Sequence, residues 1–139
     1  MIKKVLLTLL LLLNIKGYSQ EWEINLTLGS FHYERTYLDL FEPTKYNEFN
    51  PGAIIQKRRG NLKIGGGYVL NSYNKSSLIA LVGTDITPHL DFNIGVATGY
   101  SNTEIDMDLL PLAVISYKIK NFKVGLSPQF LLYSLNFRL

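Results

Sequence analysis

The fold class is decided by the last nine residues of the chain, Leu131–Leu139, which have the sequence LLYSLNFRL. Apolar residues occupy every odd position from 131 to 139, whereas Ser134, Asn136 and Arg138 fall between them. Successive side chains of a β-strand point to opposite faces, so this alternation predicts a strand with one apolar face. The same period of two recurs from Trp22 onward, and helical spacing is nowhere sustained. We therefore predict an all-β fold.

The second face of these predicted strands is small or polar. In residues 91–100, for example, Phe92 and Ile94 alternate with aspartate, asparagine and glycine. The polar face of a soluble β-sandwich is its solvent face and carries long charged side chains. An apolar outer surface around a small or polar lumen is instead the expected pattern of a transmembrane β-barrel. We interpret inward glycines, such as Gly65 and Gly67, as residues that leave space in that lumen.

Eight segments show the alternation or a continuous apolar run of strand length. We predict an eight-stranded antiparallel up-and-down transmembrane β-barrel with strands at 22–32, 50–58, 62–70, 77–86, 91–100, 109–118, 122–127 and 129–139. Short periplasmic turns are expected at 60–61, 87–91 and 120–121, and longer outer loops at 33–49, 71–76 and 101–108. Short turns on one side and longer loops on the other are typical of outer-membrane barrels.

The first nineteen residues have the features of a secretion signal. Lys3 and Lys4 precede the apolar run Val5–Leu13, and small residues follow at Gly17 and Ser19. This run is too short to cross a bilayer as a helix, which requires about 20 residues. We predict a cleaved signal peptide at 1–19, a single barrel domain at 20–139, and location in the outer membrane.

Charge and composition exclude several function classes. Three of the 14 Lys and Arg residues are Lys3, Lys4 and Lys16, so the predicted mature chain has 11 basic residues and 11 acidic residues. A formally neutral chain gives no support to nucleic-acid binding. The chain has no cysteine, and the sequence has no metal-ligand spacing and no phosphate-binding loop. We expect no metal, no cofactor and a monomeric protein.

Two prolines interrupt the predicted wall. Pro111 and Pro128 lie within or next to the sixth and seventh predicted strands. Proline has no N–H to donate to a β-ladder. The sequence therefore predicts a gap in the hydrogen bonding between these neighbouring strands.

Several motifs together resemble the outer-membrane lipid A palmitoyltransferase (PagP) family. They cover about three quarters of the chain and comprise His32, Tyr46-Asn47-Glu48, Asn71-Ser72-Tyr73-Asn74-Lys75, Gly83, Leu-Pro-Leu-Ala at 110–113 and Pro128. Members of this family are eight-stranded barrels that move a palmitoyl chain from a phospholipid to lipid A. The resemblance therefore implies an acyltransferase whose partners are phospholipid, lipid A and the outer membrane.

The resemblance also implies roles for individual residues. His32 and Ser72 would form the catalytic pair at the outer rim, with His32 as a general base and the Ser72 hydroxyl near the transferring acyl carbonyl. Asn71 stands where the family has a catalytic aspartate. Gly83 would mark the floor of an acyl-chain pocket. Pro111 and Pro128 would flank a lateral gate for lipid.

Three hypotheses remain open from the sequence. The first is the acyltransferase. The second is a non-catalytic barrel with a lipid-binding or structural role, which is suggested by Asn71 because an amide cannot serve as a carboxylate base. The third is a soluble, lipocalin-like exported carrier, which the apolar stripe along Leu131–Leu139 disfavours.

Overall fold

The computed structural model describes residues 21–34, 36–39, 42–103 and 105–139. The predicted signal peptide at 1–19 lies outside these residues. All regular secondary structure within the described ranges is β-strand. The ten strands are β1 (Trp22–His32), β2 (Thr36–Asp39), β3 (Glu42–Lys45), β4 (Phe49–Arg59), β5 (Leu62–Leu70), β6 (Ser76–Asp85), β7 (Leu90–Ala97), β8 (Leu110–Ile119), β9 (Phe122–Leu126) and β10 (Phe130–Arg138).

Eight of these strands close into an antiparallel barrel in the order β1-β10-β9-β8-β7-β6-β5-β4. The strands from β4 to β10 are neighbours in the order of the sequence. β1 closes the barrel by pairing with both β10 and β4. The predicted eight-stranded antiparallel barrel is thereby confirmed, with strand boundaries that agree to within three residues. The predicted first outer loop differs, because it contains the separate hairpin β2–β3.

The barrel has two distinct ends. The turn end carries the short connections at 60–61, 86–89 and 120–121. There Trp22 and Leu139 exchange backbone hydrogen bonds of 3.0 and 2.8 Å, which join the two ends of the barrel sequence. The loop end carries the connections at 33–48, 71–75, 98–109 and 127–129. The three longer outer connections that the sequence predicted therefore lie at the end opposite the three predicted short turns, and the loop end also carries the short connection 127–129.

The two faces of the wall are opposite in polarity. The outer face carries exposed apolar side chains, among them Phe49, Leu62, Ile64, Tyr68, Leu78, Val82, Phe92, Ile94, Ile115, Tyr117 and Leu126. The buried side chains are mainly polar or charged, among them Glu23, Asn25, Gln56, Lys63, Ser77, Asp91, Asn93, Ser116 and Ser134. Within the described part of the chain, no helix has the length and apolar character needed to cross a membrane.

A β-bulge at Leu28 sets which residues of β1 face the lumen. Before the bulge the odd-numbered residues, such as Thr27, are buried, whereas after it the even-numbered residues Ser30 and His32 are buried. The register to both neighbouring strands shifts between Thr27 and Gly29. One extra residue exchanges the two faces of a strand. Without Leu28, His32 would point outward.

The glycines of β5 allow neighbouring strands to approach closely. A Cβ atom at Gly65 or Gly67 would collide with the backbone of β4, at Ile55 and Ala53 respectively. These positions face inward, as expected, but they do not line an open bore. Their role in the structure is to permit the tight curvature of the wall at this point.

The wall has a gap between β8 and β9. Their ladder runs from Ile119–Phe122 to Ile115–Leu126 and stops there. Residues 110–114 of β8 pair with β7 through the whole segment but have no partner on β9. The predicted interruption beside Pro111 and Pro128 is confirmed, because β9 ends two residues before Pro128.

Candidate functional site

A cavity of about 400 Å³ lies at the loop end. We call it the loop-end cavity. Its lining residues are His32, Tyr33, Glu34, Tyr46, Ser72, Tyr73, Tyr100, Ile105, Leu110, Pro128, Gln129 and Phe130. Both members of the predicted catalytic pair, His32 and Ser72, therefore line one cavity. Leu110 and Pro128 also line it, so the cavity extends to the β8–β9 gap.

The imidazole of His32 is held by aromatic rings. It stacks on Tyr46 with ring centroids 4.2 Å apart and planes 12° from parallel, and Phe130 packs at 5.5 Å. The side chain is 7% exposed, and its Nδ1 atom has no hydrogen-bond partner among the described residues. Buried ring nitrogens are normally paired. A ligand or a moving side chain could supply the partner of this nitrogen.

Ser72 lies at the boundary between two cavities. A smaller cavity of about 90 Å³, the inner cavity, lies below the loop-end cavity toward the turn end. Ser72, Tyr100 and Phe130 line both cavities and form the constriction between them. A hydroxyl at this constriction can contact a group that enters from the loop end while an attached apolar chain points inward.

The inner cavity is mainly apolar but small. Its wall includes Ile54, Val69, Ile79, Leu81, Ala97, Leu112, Val114 and Leu132. Its volume of about 90 Å³ corresponds to roughly three molecules of liquid water at ~30 Å³ each. A third cavity of about 50 Å³ continues toward the turn end. A long acyl chain could enter only if these side chains rearranged.

Asn71 does not line the loop-end cavity that contains His32. Its side chain instead stabilises the loop that follows β5. Its side-chain oxygen accepts hydrogen bonds of 3.0 Å from the backbone N–H groups of Tyr73 and Lys75. Its amide nitrogen donates a 2.9 Å hydrogen bond to the backbone oxygen of Gly99. An aspartate could accept the first two hydrogen bonds but could not donate the third. The amide at this position therefore has a structural explanation.

The other predicted site residues lie at different levels of the barrel. Gly83 faces inward opposite Lys63, where an added Cβ would collide with the side chain of Asn93. It lies beside the Gln56–Asn93 hydrogen bond of 2.9 Å, below the inner cavity. Pro111 lies on the outer face of β8 beside the gap, and Pro128 lines the loop-end cavity.

The turn end of the lumen is filled by a charge cluster that the sequence analysis missed. Its members are Glu23, Arg58, Lys63, Asp85, Asp91, Lys118 and Lys123. Lys63 Nζ lies 2.6 Å from Asp91 Oδ2, and Arg58 Nη1 lies 2.9 Å from Glu23 Oε2. The sequence predicted a small or polar lumen face but not this concentration of charge at one end. Buried charges are tolerated here because each has partners of opposite sign.

The charge cluster is an ion-pair network rather than an open metal site. Oxygen atoms of Glu23, Asp85 and Asp91 lie within 4.8 Å of one another, which is close enough for shared coordination of an ion. Ammonium groups already occupy the space around them, since Lys118 and Lys123 lie 3.1 and 2.9 Å from Asp91. A divalent cation would have to displace these cations.

The fold and site together define a closed eight-stranded antiparallel β-barrel with a charged turn end and an aromatic cavity at the loop end. Comparison of the chain with protein-family models and with curated protein sequences finds no match. Any functional assignment therefore depends on the residues themselves.

Proposed function

We propose that this protein is an outer-membrane acyltransferase resembling the lipid A palmitoyltransferases, which moves an acyl chain from a phospholipid to lipid A. The observation that carries the proposal is the placement of His32 and Ser72 on one cavity. The first lies at the end of β1 and the second follows β5, and β4 is the only strand between them in the wall.

The outer surface supports a membrane location. Phe49, Ile64 and Leu78 are 67%, 59% and 63% exposed on the outside of the wall. Exposed apolar side chains that surround a whole barrel would be unfavourable in water and favourable in lipid. The same observation weighs against a soluble, lipocalin-like carrier.

The charge cluster at the turn end argues against an open pore, because its side chains fill that end of the lumen.

The gap between β8 and β9 supports access for lipid from the side. In a bilayer, unpaired backbone groups facing hydrocarbon are costly, so a barrel wall is normally paired throughout. Here residues 110–114 lack partners on β9, and the loop-end cavity extends to Leu110 and Pro128 beside them. A lipid chain could pass from the bilayer to the cavity at this position.

The proposed reaction is a transfer between two oxygen atoms. A hydroxyl group of lipid A attacks the carbonyl carbon of a phospholipid ester, a new ester bond forms, and the bond to the glycerol oxygen breaks. His32 takes the proton from the attacking hydroxyl and returns it to the departing glycerol oxygen, as general bases do. The Ser72 hydroxyl lies beside the acyl carbonyl at the cavity constriction and contacts it during transfer.

The test is reconstitution of the purified protein in detergent with labelled phosphatidylcholine and lipid A. Wild-type protein is expected to transfer label, and Ser72→Ala and His32→Ala are expected to lose at least ~100-fold in rate. Ser101→Ala serves as a matched control in a neighbouring loop. Equal transfer rates for the wild type and both site variants would contradict the proposal.

A second candidate is a non-catalytic barrel that binds a lipid chain. Two observations favour it. Asn71 stands where the lipid A palmitoyltransferase family has an aspartate, and the inner cavity has a volume of only about 90 Å³. This candidate predicts that lipid extracted with the purified protein contains bound acyl chains while the transfer assay stays at background. Measurable transfer by the wild type would exclude it.

A further inference from the structure

The segment Tyr46–Glu48 connects the two residues of the proposed catalytic pair. The Tyr46 ring stacks on His32, and the backbone N–H of Asn47 donates a 2.8 Å hydrogen bond to the backbone oxygen of Ser72. The backbone oxygen of Glu48 accepts a 2.9 Å hydrogen bond from the N–H of Ser30. Three consecutive residues therefore contact both sides of the site.

Glu48 directly precedes β4 and lies between two residues whose side chains face the lumen. Tyr46 lines the loop-end cavity, and Asn50 is buried, where it accepts a hydrogen bond from Ser30. Because alternate residues of an extended segment share a face, we infer that the Glu48 side chain lies on the face of Tyr46 and Asn50. His32 is on the lumen face of the adjacent strand, two residues beyond Ser30.

His32 needs a carboxylate if it acts as a general base. The ring becomes positively charged when it takes a proton, and a nearby carboxylate stabilises that charge and orients the ring. Asn71 is uncharged, and its amide is bonded to Tyr73, Lys75 and Gly99. Burial lowers the pKa of His32, and the negative charge of Glu48 acts against that shift. The other titratable residues that line the cavity are Tyr33, Glu34, Tyr46, Tyr73 and Tyr100.

We propose that Glu48 is the acid of this site and acts through His32 as a positioning residue. The inference rests on the proposed function and replaces the missing acid at Asn71 with one from the segment before β4. The transferred proton moves to His32 and then to the leaving oxygen. No further reactant is required.

The first measurement follows the His32 ring by nuclear magnetic resonance and does not depend on turnover. The chain has two histidines, so His89→Gln leaves His32 as the single reporter. In this background, Glu48→Gln is expected to lower the pH midpoint of the ring titration by roughly one pH unit, since a charge within reach has been removed. Glu34→Gln removes a carboxylate that lines the same cavity and is expected to leave the midpoint unchanged.

The second measurement is the transfer rate. Glu48→Gln is expected to lower kcat by at least ~10-fold with little change in KM, and Glu48→Asp is expected to recover part of the loss. An unchanged midpoint and an unchanged kcat in Glu48→Gln, with His32→Ala inactive, would overturn the role of Glu48 and leave the proposed function standing. If wild-type protein transfers nothing, the proposed function fails, and the titration alone decides whether Glu48 acts on His32.

Discussion

The buried ammonium group of Lys63 lies 2.6 Å from a carboxylate oxygen of Asp91, across the width of β6. Both side chains are fully buried, and they form the centre of the charge cluster. Lys118 and Lys123 lie 3.1 and 2.9 Å from the same carboxylate, so removal of Asp91 would leave three buried ammonium groups without a shared counter-charge. This relationship makes the turn end of the barrel a strong determinant of stability.

The first prediction concerns Asp91→Asn. It is expected to lower the free energy of unfolding by about 3 kcal/mol or more, because Lys63, Lys118 and Lys123 lose the carboxylate that they share. Urea unfolding followed by the fluorescence of Trp22, the single tryptophan, measures the change. Lys120→Met, which removes an exposed charge in a turn, is the control and should change stability by less than about 0.5 kcal/mol. Equal stability of the two variants would contradict the prediction.

The second prediction concerns the bulge in β1. Deletion of Leu28 is expected to turn His32 from the lumen to the outer face, because the bulge exchanges the two faces of the strand. The chain has no cysteine, so His32→Cys can be labelled selectively. A membrane-soluble maleimide should label position 32 much faster in the deletion variant than in the full-length one. Similar labelling of both would show that the bulge does not set the orientation.

The third prediction concerns Asn71→Asp. The substitution removes the hydrogen bond to Gly99 and places a carboxylate against that backbone oxygen, so we expect a loss of about 1–3 kcal/mol in stability. It should not increase the rate of acyl transfer. Asn74→Asp, an exposed change in the same loop, is the control. A variant that transfers faster than wild type would restore the hypothesis that an acid was lost at position 71.

The fourth prediction concerns Tyr100, which lies between β7 and β8, outside the barrel strands. Burial raises the pKa of Tyr100 to about 12, above the ordinary value of about 10. The folded chain therefore keeps the phenolic proton where the unfolded chain releases it. Stability from this group is present below about pH 10 and is lost as pH rises toward 12.

The check compares wild type with Tyr100→Phe. The wild-type free energy of unfolding should fall more steeply between pH 10 and 12, with a difference on the order of 2 kcal/mol at pH 12. Tyr68→Phe, on the outer face, is the control for loss of a tyrosine hydroxyl. Parallel curves for wild type and Tyr100→Phe would show that Tyr100 titrates normally.

The strands were predictable because the two faces of the barrel wall differ in polarity. Apolar residues alternate with small or polar residues in segments such as 91–97 and 131–137, and the observed strands cover them. The hairpin β2–β3 was missed because its strands have four residues each and no apolar alternation. The bulge at Leu28 was missed, although it changes the phase of the alternation: apolar residues stand at even positions before it, as at Leu26, and at odd positions after it, as at Phe31.

The site was predictable only in part. His32 and Ser72 are single residues with no distinctive local motif of their own. The family resemblance alone pointed to them as a pair, and in the structure they line the same cavity. The charge cluster was missed because its members are distributed over the sequence, with Glu23 and Lys123 100 positions apart. Their pairing depends on the closure of the barrel, which brings β1 and β9 to the same lumen. No local sequence pattern indicates this contact.

Acyl transfer is tested in the cell by the mass of lipid A in a bacterium that lacks its own lipid A acyltransferases and expresses this protein. Lipid A is expected to gain the mass of one acyl chain with wild-type protein and to gain none with Ser72→Ala at equal levels in the outer membrane. Unchanged lipid A with the wild type, at a level at which the barrel is folded in the membrane, would contradict the proposed acyl transfer.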